Sequence, residues 1–516
     1  MTKKTLYVIF AQLWCLAMMA QVNPIAGVYS YKNADGAQGT IRVATGTGGQ
    51  IYFDAESVTA SGNTASLKPA DGAWVKLAGK RATYSHRFND CTYTLTLDFN
   101  EADGTLTAKE NYSKWAPIFG SGASLAGTYK KESGTVGDSR GYLYSVMGDG
   151  TLGLTRGGRY CGTVRIPESV KMADGSEKTV STIRKRAMQV PTYEKSANAL
   201  REVYVPATVT MVGVDAFAGN SQLQKVEYDN PRSVYVEAGA YMGCPNLQLT
   251  PATPIYGYCN YYNNEDRAAA FSKFMFPMGK KMTGEELAQY KWACFKHWHN
   301  RIGNPVASNM DDDNCMPAFS DWRKVKGYIF SLRDPKQGPN MFWGYDPHEA
   351  IVVMVGNDYM GTHRFPQYNR WRYGEEAESK SPYFKQQMEK RYGRKVRYSY
   401  VAATLRDDGR NVSVTEFEIA NNEALVVIAW SRADDIICTW EKRQQFEAGE
   451  GGSVWNVDDD GEYGIPAVLC IAEGDNGALE LILNHQAPES VNIERLVRHG
   501  DQFVEEGGDQ WYVWYD

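Results

Sequence analysis

Along residues 24 to about 131, apolar and polar positions alternate in short runs, as in Tyr93-Thr94-Leu95-Thr96-Leu97-Asp98-Phe99. Successive side chains of a strand point to opposite faces, so a period of two predicts half-buried strands. Asp35-Gly36, Asp71-Gly72 and Asp103-Gly104 punctuate the runs as turn signals. The expected result over 21–131 is a small antiparallel β barrel or sandwich. Ile25-Ala26-Gly27-Val28-Tyr29 is echoed by Leu125-Ala126-Gly127-Thr128-Tyr129, and the echo places the start of a new β unit near 124.

Further along, the spacing of apolar residues lengthens. Leu200 and Leu223 lie 23 positions apart. Val203-Tyr204-Val205-Pro206 leads to Val212, Ala216-Phe217 and Gly219-Asn220. Val226-Glu227-Tyr228 opens another copy, which runs to Ala240-Tyr241, Gly243-Cys244 and Leu247. An earlier copy holds Val164-Arg165-Ile166-Pro167, Val170, Ile183 and Ala187-Met188. A repeat of this length fits one strand-bearing turn of a solenoid. No turn buries its apolar side alone, so turns stack on one another.

These copies resemble the BspA-like leucine-rich repeats of bacterial surface proteins. The family pattern, approximately an Ile-Pro-x-x-Val strand, an Ile-Gly step, an Ala-Phe pair and a Gly-Cys corner, is matched by Val205-Pro206-Ala207-Thr208-Val209, Val212-Gly213, Ala216-Phe217 and Cys244. Met188 stands in place of the aromatic in the first copy, Asp229 in place of proline in the third, and the 189–199 loop is long. The resemblance covers about a fifth of the chain and implies a short solenoid of about three turns within 132–256. It also implies a surface protein that binds a protein or glycan ligand. On the strand-lined side of such a solenoid, Arg165, Tyr204 and Glu227 are the candidate contact positions.

After Pro251 the pattern changes again. A helix is expected from Glu265 to Phe276. A second opens at Thr283, whose hydroxyl caps the helix while Glu286 completes a capping box, with Leu287, Cys294, Trp298 and Ile302 as its apolar stripe. A third has Ser381 as cap, Pro382 in the first turn, Gly393 just beyond the end, and Phe384, Met388 and Tyr392 on its buried side. Strands follow at 396–400, 423–430, 436–440, 467–471 and 479–483, with a turn at Asp408-Gly409. The chain therefore reads as multidomain, β-rich α+β: an N-terminal antiparallel β domain, a short leucine-rich-repeat solenoid, and a C-terminal α+β domain over 257–516, with a split near 375 left open.

The first 20 residues read as a secretory signal. Lys3 and Lys4 precede an apolar run from Leu6 to Met19, and Ala20-Gln21 is the expected cleavage point. Cys15 raises a lipoprotein signal, but Gln12-Leu13-Trp14 lacks the small residue that such processing needs. No later segment approaches the apolar length of a transmembrane helix. The chain of 516 residues has a net charge of −6, which argues against nucleic acid as a partner. Its 33 tyrosines suit either cross-strand packing or sugar stacking.

Candidate chemistry is sparse. No CxxC pair, Gly-rich phosphate loop, HExxH or GxSxG occurs, so neither cofactor nor metal is expected. Cys294 and His297 are three apart and meet on a helix, but Cys294 sits on the apolar stripe, where a buried thiol or a disulfide to Cys315 is the better reading. Asn456 to Gly461 begins like a calcium loop but has Ala467 where a bidentate glutamate is needed, so it reads as a turn. Trp343 and Tyr345, in Phe342-Trp343-Gly344-Tyr345-Asp346-Pro347-His348-Glu349, are the second set of candidate ligand contacts. The leading expectation is an exported non-catalytic binding or adhesion protein. The alternatives are an exported hydrolase with its site in 257–516, and a structural spacer.

Overall fold

The computed structural model describes residues 20–69, 72–114, 118–190, 200–258, 273–277, 282–295, 298–307, 327–333, 351–371, 375–445, 454–455, 461–487 and 490–512. The chain divides into two compact units, 1–249 and 250–516.

In the first unit the alternating runs become Gly27–Lys32 (β1), Gln38–Gly46 (β2), Gln50–Val58 (β3), Val75–Ala78 (β4), Arg81–Phe88 (β5), Cys91–Asn100 (β6), Thr105–Tyr112 (β7) and Gly127–Lys131 (β8). Each is antiparallel to its neighbour, and β8 returns to β1, so the eight strands close into a barrel. Closure removes the sheet edges that would otherwise invite pairing with other chains. Along β6 every second residue, from Cys91 through Phe99, is buried. The lumen is packed with side chains, among them Ile41, Val43, Phe53, Tyr93, Leu97 and Tyr129.

The sequence echo has a structural meaning. The Tyr29 hydroxyl donates to the Ile25 carbonyl and the Tyr129 hydroxyl to the Leu125 carbonyl, each at 2.8 Å. The two copies are equivalent corners that lead into adjacent strands of one barrel. Residue 124 therefore lies inside the barrel and not at the start of a new unit. Tyr129→Phe is expected to cost about 1–2 kcal/mol, because the buried Leu125 carbonyl loses its donor. A urea-midpoint shift read by circular dichroism checks this; an unchanged midpoint would contradict it.

Beyond the barrel the repeat copies stack. Gly162–Arg165 (β9), Leu200–Val205 (β10) and Lys225–Tyr228 (β11) form a parallel three-stranded sheet. On another side of the same turns Leu152–Leu154, Glu177–Ile183, Met211–Val212 and Tyr235–Val236 pair in parallel. Val164, Val203, Val205, Val212, Phe217 and Tyr241 fill the space between. Phe217 and Tyr241, one repeat apart, stack at 5.8 Å with planes 16° apart. Gly219 is required where it stands: its φ is +81°, and a Cβ there would lie 2.2 Å from the Val190 carbonyl oxygen.

The second unit carries two sheets. A seven-stranded antiparallel sheet runs in the order 298–301, 290–295, 351–356, 255–258, 273–277, 327–331 and 306–307. A bridge between Ile302 and Leu332 links the first strand of this order to the sixth. The nine-stranded sheet comprises Tyr368–Arg370 (β12), Val396–Leu405 (β13), Arg410–Phe417 (β14), Glu423–Arg432 (β15), Asp435–Gln445 (β16), Ala467–Glu473 (β17), Leu479–Ala487 (β18), Ser490–His499 (β19) and Gln502–Tyr512 (β20). Its order is β12-β13-β14-β15-β16-β20-β19-β18-β17, and an Arg364–Glu473 bridge brings the two ends together.

Two helix expectations in this unit fail. Within 265–276 the described part, Lys273–Phe276, is strand paired with 328–331; residues 265–272 lie outside the described set. The capping box at Thr283 exists, but it opens a single turn, Gly284–Leu287 (α1). Tyr290–Phe295 and Trp298–Arg301 then form a hairpin. The supposed stripe is split: Cys294 is buried, whereas Trp298 is 46% exposed. Short apolar runs satisfy either period, and here pairing with the buried strand Ile351–Gly356 selects the extended form. Asn357–Thr362 (α2) is a short helix with no counterpart in the sequence reading. The third expected helix is present as Pro382–Tyr392 (α3), with the Ser381 side chain accepting from Phe384 N and Gly393 closing the end at φ +66°. Phe384 and Met388 pack on Phe417, Leu425, Val427 and Ala429, while Val426, Ile428 and Trp430 of β15 face the other core. Burial on both faces explains why β15 reads as a continuous apolar run.

Candidate functional site

The parallel sheet β9–β10–β11 holds three of the five expected contact residues. Val164, Val203 and Val226 are in register, with Val164 and Val203 buried. Alternation turns the next row outward, and that row is Arg165, Tyr204 and Glu227. Three residues drawn from separate repeats thus lie side by side. The row two residues earlier adds Thr163, Glu202 and Lys225.

The face is internally braced. The Arg165 guanidinium lies 3.8 Å from the Tyr204 ring centroid, and the Lys225 ammonium lies 5.3 Å from it. Such stacking contributes about 0.5–1 kcal/mol at an exposed site. The Tyr204 hydroxyl donates to Glu202 Oε2 at 3.2 Å, and Thr163 Oγ1 donates to the same oxygen at 3.3 Å. Lys225 pairs with Glu227, a contact that raises the lysine above its ordinary value. Charges of both signs are therefore held at fixed positions on a pleated surface. The sequence reading passed over Glu202 and Lys225, although their spacing of two from Tyr204 and Glu227 already puts them on the same face.

Trp343 and Tyr345 lie outside the described residues, as do His297, Cys315 and residues 456–460. Cys294 is a free thiol, 1% exposed, with its sulfur 4.0 Å from Met360 Sδ. The hairpin sets it opposite His299. Burial pushes the thiol pKa up and the His299 pKa down, so neither group is charged near neutrality. A neutral buried thiol is a poor nucleophile.

Two buried carboxylates organise the second unit, and the sequence pattern did not single out either. Glu480 accepts from Arg495 Nε and Nη2, each at 2.8 Å and one on each oxygen, and from the Tyr359 hydroxyl at 2.8 Å. His363 donates Nδ1–H to the Tyr359 carbonyl at 2.9 Å and turns Nε2 toward Glu480 at 3.6 Å. Burial raises the Glu480 carboxyl, but hydrogen bonds from His363 and Arg495, with their charges, outweigh it and hold it down at about 2. Glu494, 4% exposed, accepts from Lys442 and from the Tyr463 hydroxyl, each at 2.7 Å. Burial raises it too, and the charges of His485 and Lys442 outweigh that and lower it. Glu505 lies on the neighbouring strand and is raised, by burial first and then by Glu494. Each oxygen of Glu480 and Glu494 already accepts a hydrogen bond, so these carboxylates act as structural anchors. No signal short of strand register could have found them, because their partners come from other segments of the chain.

Among the described residues, no three His, Cys, Asp or Glu side chains gather as a metal site, and no helix is long and apolar enough to cross a membrane.

Comparison with family models and with curated proteins finds no match. Among solved structures, a leucine-rich cell surface protein from Faecalibacterium prausnitzii is 26% identical, over 21% of this chain and 28% of that one, with a TM-score of 0.19. A leucine-rich-repeat protein from Bacteroides capillosus is 28% identical, over 21% of this chain and 75% of that one, also with a TM-score of 0.19. The pneumococcal vaccine antigen PcpA is 12% identical, over 22% of this chain and 41% of that one, with a TM-score of 0.13. The chain thus spans little more than a quarter of the first of these proteins.

Proposed function

We propose that this chain is an exported, non-catalytic binding protein of the cell surface. In this reading the 132–256 segment is a BspA-like leucine-rich-repeat solenoid, and the outer face of β9–β10–β11 is its contact surface. The observation that carries the reading is the register of Arg165, Tyr204 and Glu227, which makes one braced row from three repeats. Export is supported by the signal-like first 20 residues. The state of the buried groups in the second unit supports a non-catalytic role: the Cys294 thiol is neutral, and Glu480 and Glu494 are tied on both oxygens.

A protein ligand fits the face better than a glycan. Sugar stacking needs a bare aromatic ring, whereas Tyr204 carries a guanidinium at 3.8 Å. A braced pattern of alternating charge favours partner discrimination and register on a protein surface. The full chain, probed in parallel on arrays of extracellular proteins and of glycans, is expected to bind protein targets. The triple variant R165A/Y204A/E227A should weaken them at least about tenfold, the loss of about 1.4 kcal/mol. Undiminished binding by the variant, glycan-only binding, or cleavage of the captured target would each defeat the reading.

A further inference from the structure

The nine-stranded sheet has one weak seam. Nearly every neighbouring pair in it is antiparallel and joined by several rungs, but β16 and β20 run parallel and share the single rung Thr439–Gln502. Thr439 N also donates to the Asp501 carbonyl at 3.3 Å. Where these strands meet the last turn of α3, a cleft of about 400 Å³ opens, lined in part by Arg391, Tyr392, Thr439, Arg443 and Phe503.

Charge decides what such a cleft can hold. Glu423 is shared between Arg394 at 2.6 Å and Arg443 at 2.9 Å, and Glu441 takes the other arm of Arg443 at 3.3 Å. Among the lining residues, the two arginines Arg391 and Arg443 thus face one carboxylate, Glu441. Among the described residues Arg391 makes no ion pair; its guanidinium lies 5.8 Å from the Tyr392 ring centroid. The Tyr392 hydroxyl is fixed by Thr439 Oγ1 at 3.3 Å, so the wall beside the uncommitted cation is set in place. Gln502, Glu441 and Thr439 add donors and acceptors of the kind that sugar hydroxyls require. One uncommitted guanidinium suits a single negative charge, whereas a phosphate dianion would leave charge unbalanced.

We propose that this cleft binds an anionic saccharide unit, with its carboxylate or sulfate on Arg391 and its hydroxyls on Gln502, Glu441 and Thr439. The proposal does not depend on the reading of the β9–β10–β11 face. It identifies a second ligand site, within 250–516, for acidic glycan.

Isothermal titration of the full chain with tetragalacturonate, a sulfated chondroitin tetrasaccharide and neutral maltotetraose tests it. At least one acidic tetrasaccharide is expected to bind, more weakly as salt is raised, while maltotetraose does not. Comparing the two acidic probes separates carboxylate from sulfate as the recognised group. Arg391→Ala, at an exposed position, should weaken binding at least about tenfold with an unchanged circular dichroism spectrum, and Lys80→Ala, at an exposed position of the barrel, should leave it unchanged. Equal binding of maltotetraose, full binding by Arg391→Ala, or no binding of either acidic probe at millimolar concentration would overturn the proposal.

Discussion

Phe217→Ala is expected to destabilise the 1–249 unit by about 3–5 kcal/mol, the range for deleting a fully buried ring. Phe217 has no exposed surface and sits between stacked turns against Tyr241. Its neighbours cannot collapse into the space. The Phe217 amide donates to the Ala240 carbonyl at 2.8 Å, and the Phe217 carbonyl accepts from Asn220 Nδ2 at 2.6 Å and Cys244 Sγ at 3.2 Å. These bonds hold the backbone of adjacent turns where it is, so the cavity stays open. Each turn buries its apolar side only against the next, and the defect therefore weakens both interfaces of its turn. The expected result is a large drop in the urea midpoint for Phe217→Ala and a smaller one, under about 2 kcal/mol, for Phe217→Leu. A loss below about 1 kcal/mol for the alanine variant would mean that the stack does not depend on this ring.

Arg495→Ala is expected to cost the 250–516 unit about 3–5 kcal/mol, because it leaves Glu480 charged and buried with half its donors gone. The same cluster predicts a pH dependence. Glu480 falls from an ordinary 4.5 to about 2 in the folded chain. A depressed carboxyl contributes stability that is fully present above the unfolded value and is lost as pH falls through the folded one. The window is therefore about 4.5 down to about 2, and the linked contribution is about 3 kcal/mol. Other carboxylates titrate over the same range, so the readout is a difference. The stability gap between the wild-type chain and Glu480→Gln should be constant above about pH 5 and should close as pH approaches 2. A gap that does not change with pH would show that Glu480 is not held ionised by this cluster.

The legible parts of this protein were those written in local pattern. The alternation of residues 93–99 is the buried face of β6, and the Ser381, Pro382 and Gly393 signals bound α3 as found. The spacing of the repeats puts Arg165, Tyr204 and Glu227 at equivalent positions. The failures have a common cause. The capping box at Thr283 correctly marks a helix start, but a cap says nothing about length, and Tyr290–Phe295 and Trp298–Arg301 went to a hairpin. Glu480 and Arg495 sit diagonally on adjacent strands, where Ile482 faces Arg495. Their partners Tyr359 and His363 lie more than a hundred residues earlier, so no spacing rule joins the four.

By itself, the sequence determined the periods: two in the barrel strands, a repeat of 23–24 residues in the stacked turns, and the helical spacing of α3. These follow from side-chain direction along a single strand or helix, which is a local property. Only the tertiary structure decided closure and partnership: the return of β8 to β1, the clamp of Arg495 on Glu480, and the cleft at the β16–β20 seam. Each depends on which distant segments bury one another and in what register, and that choice is made by the whole apolar surface at once.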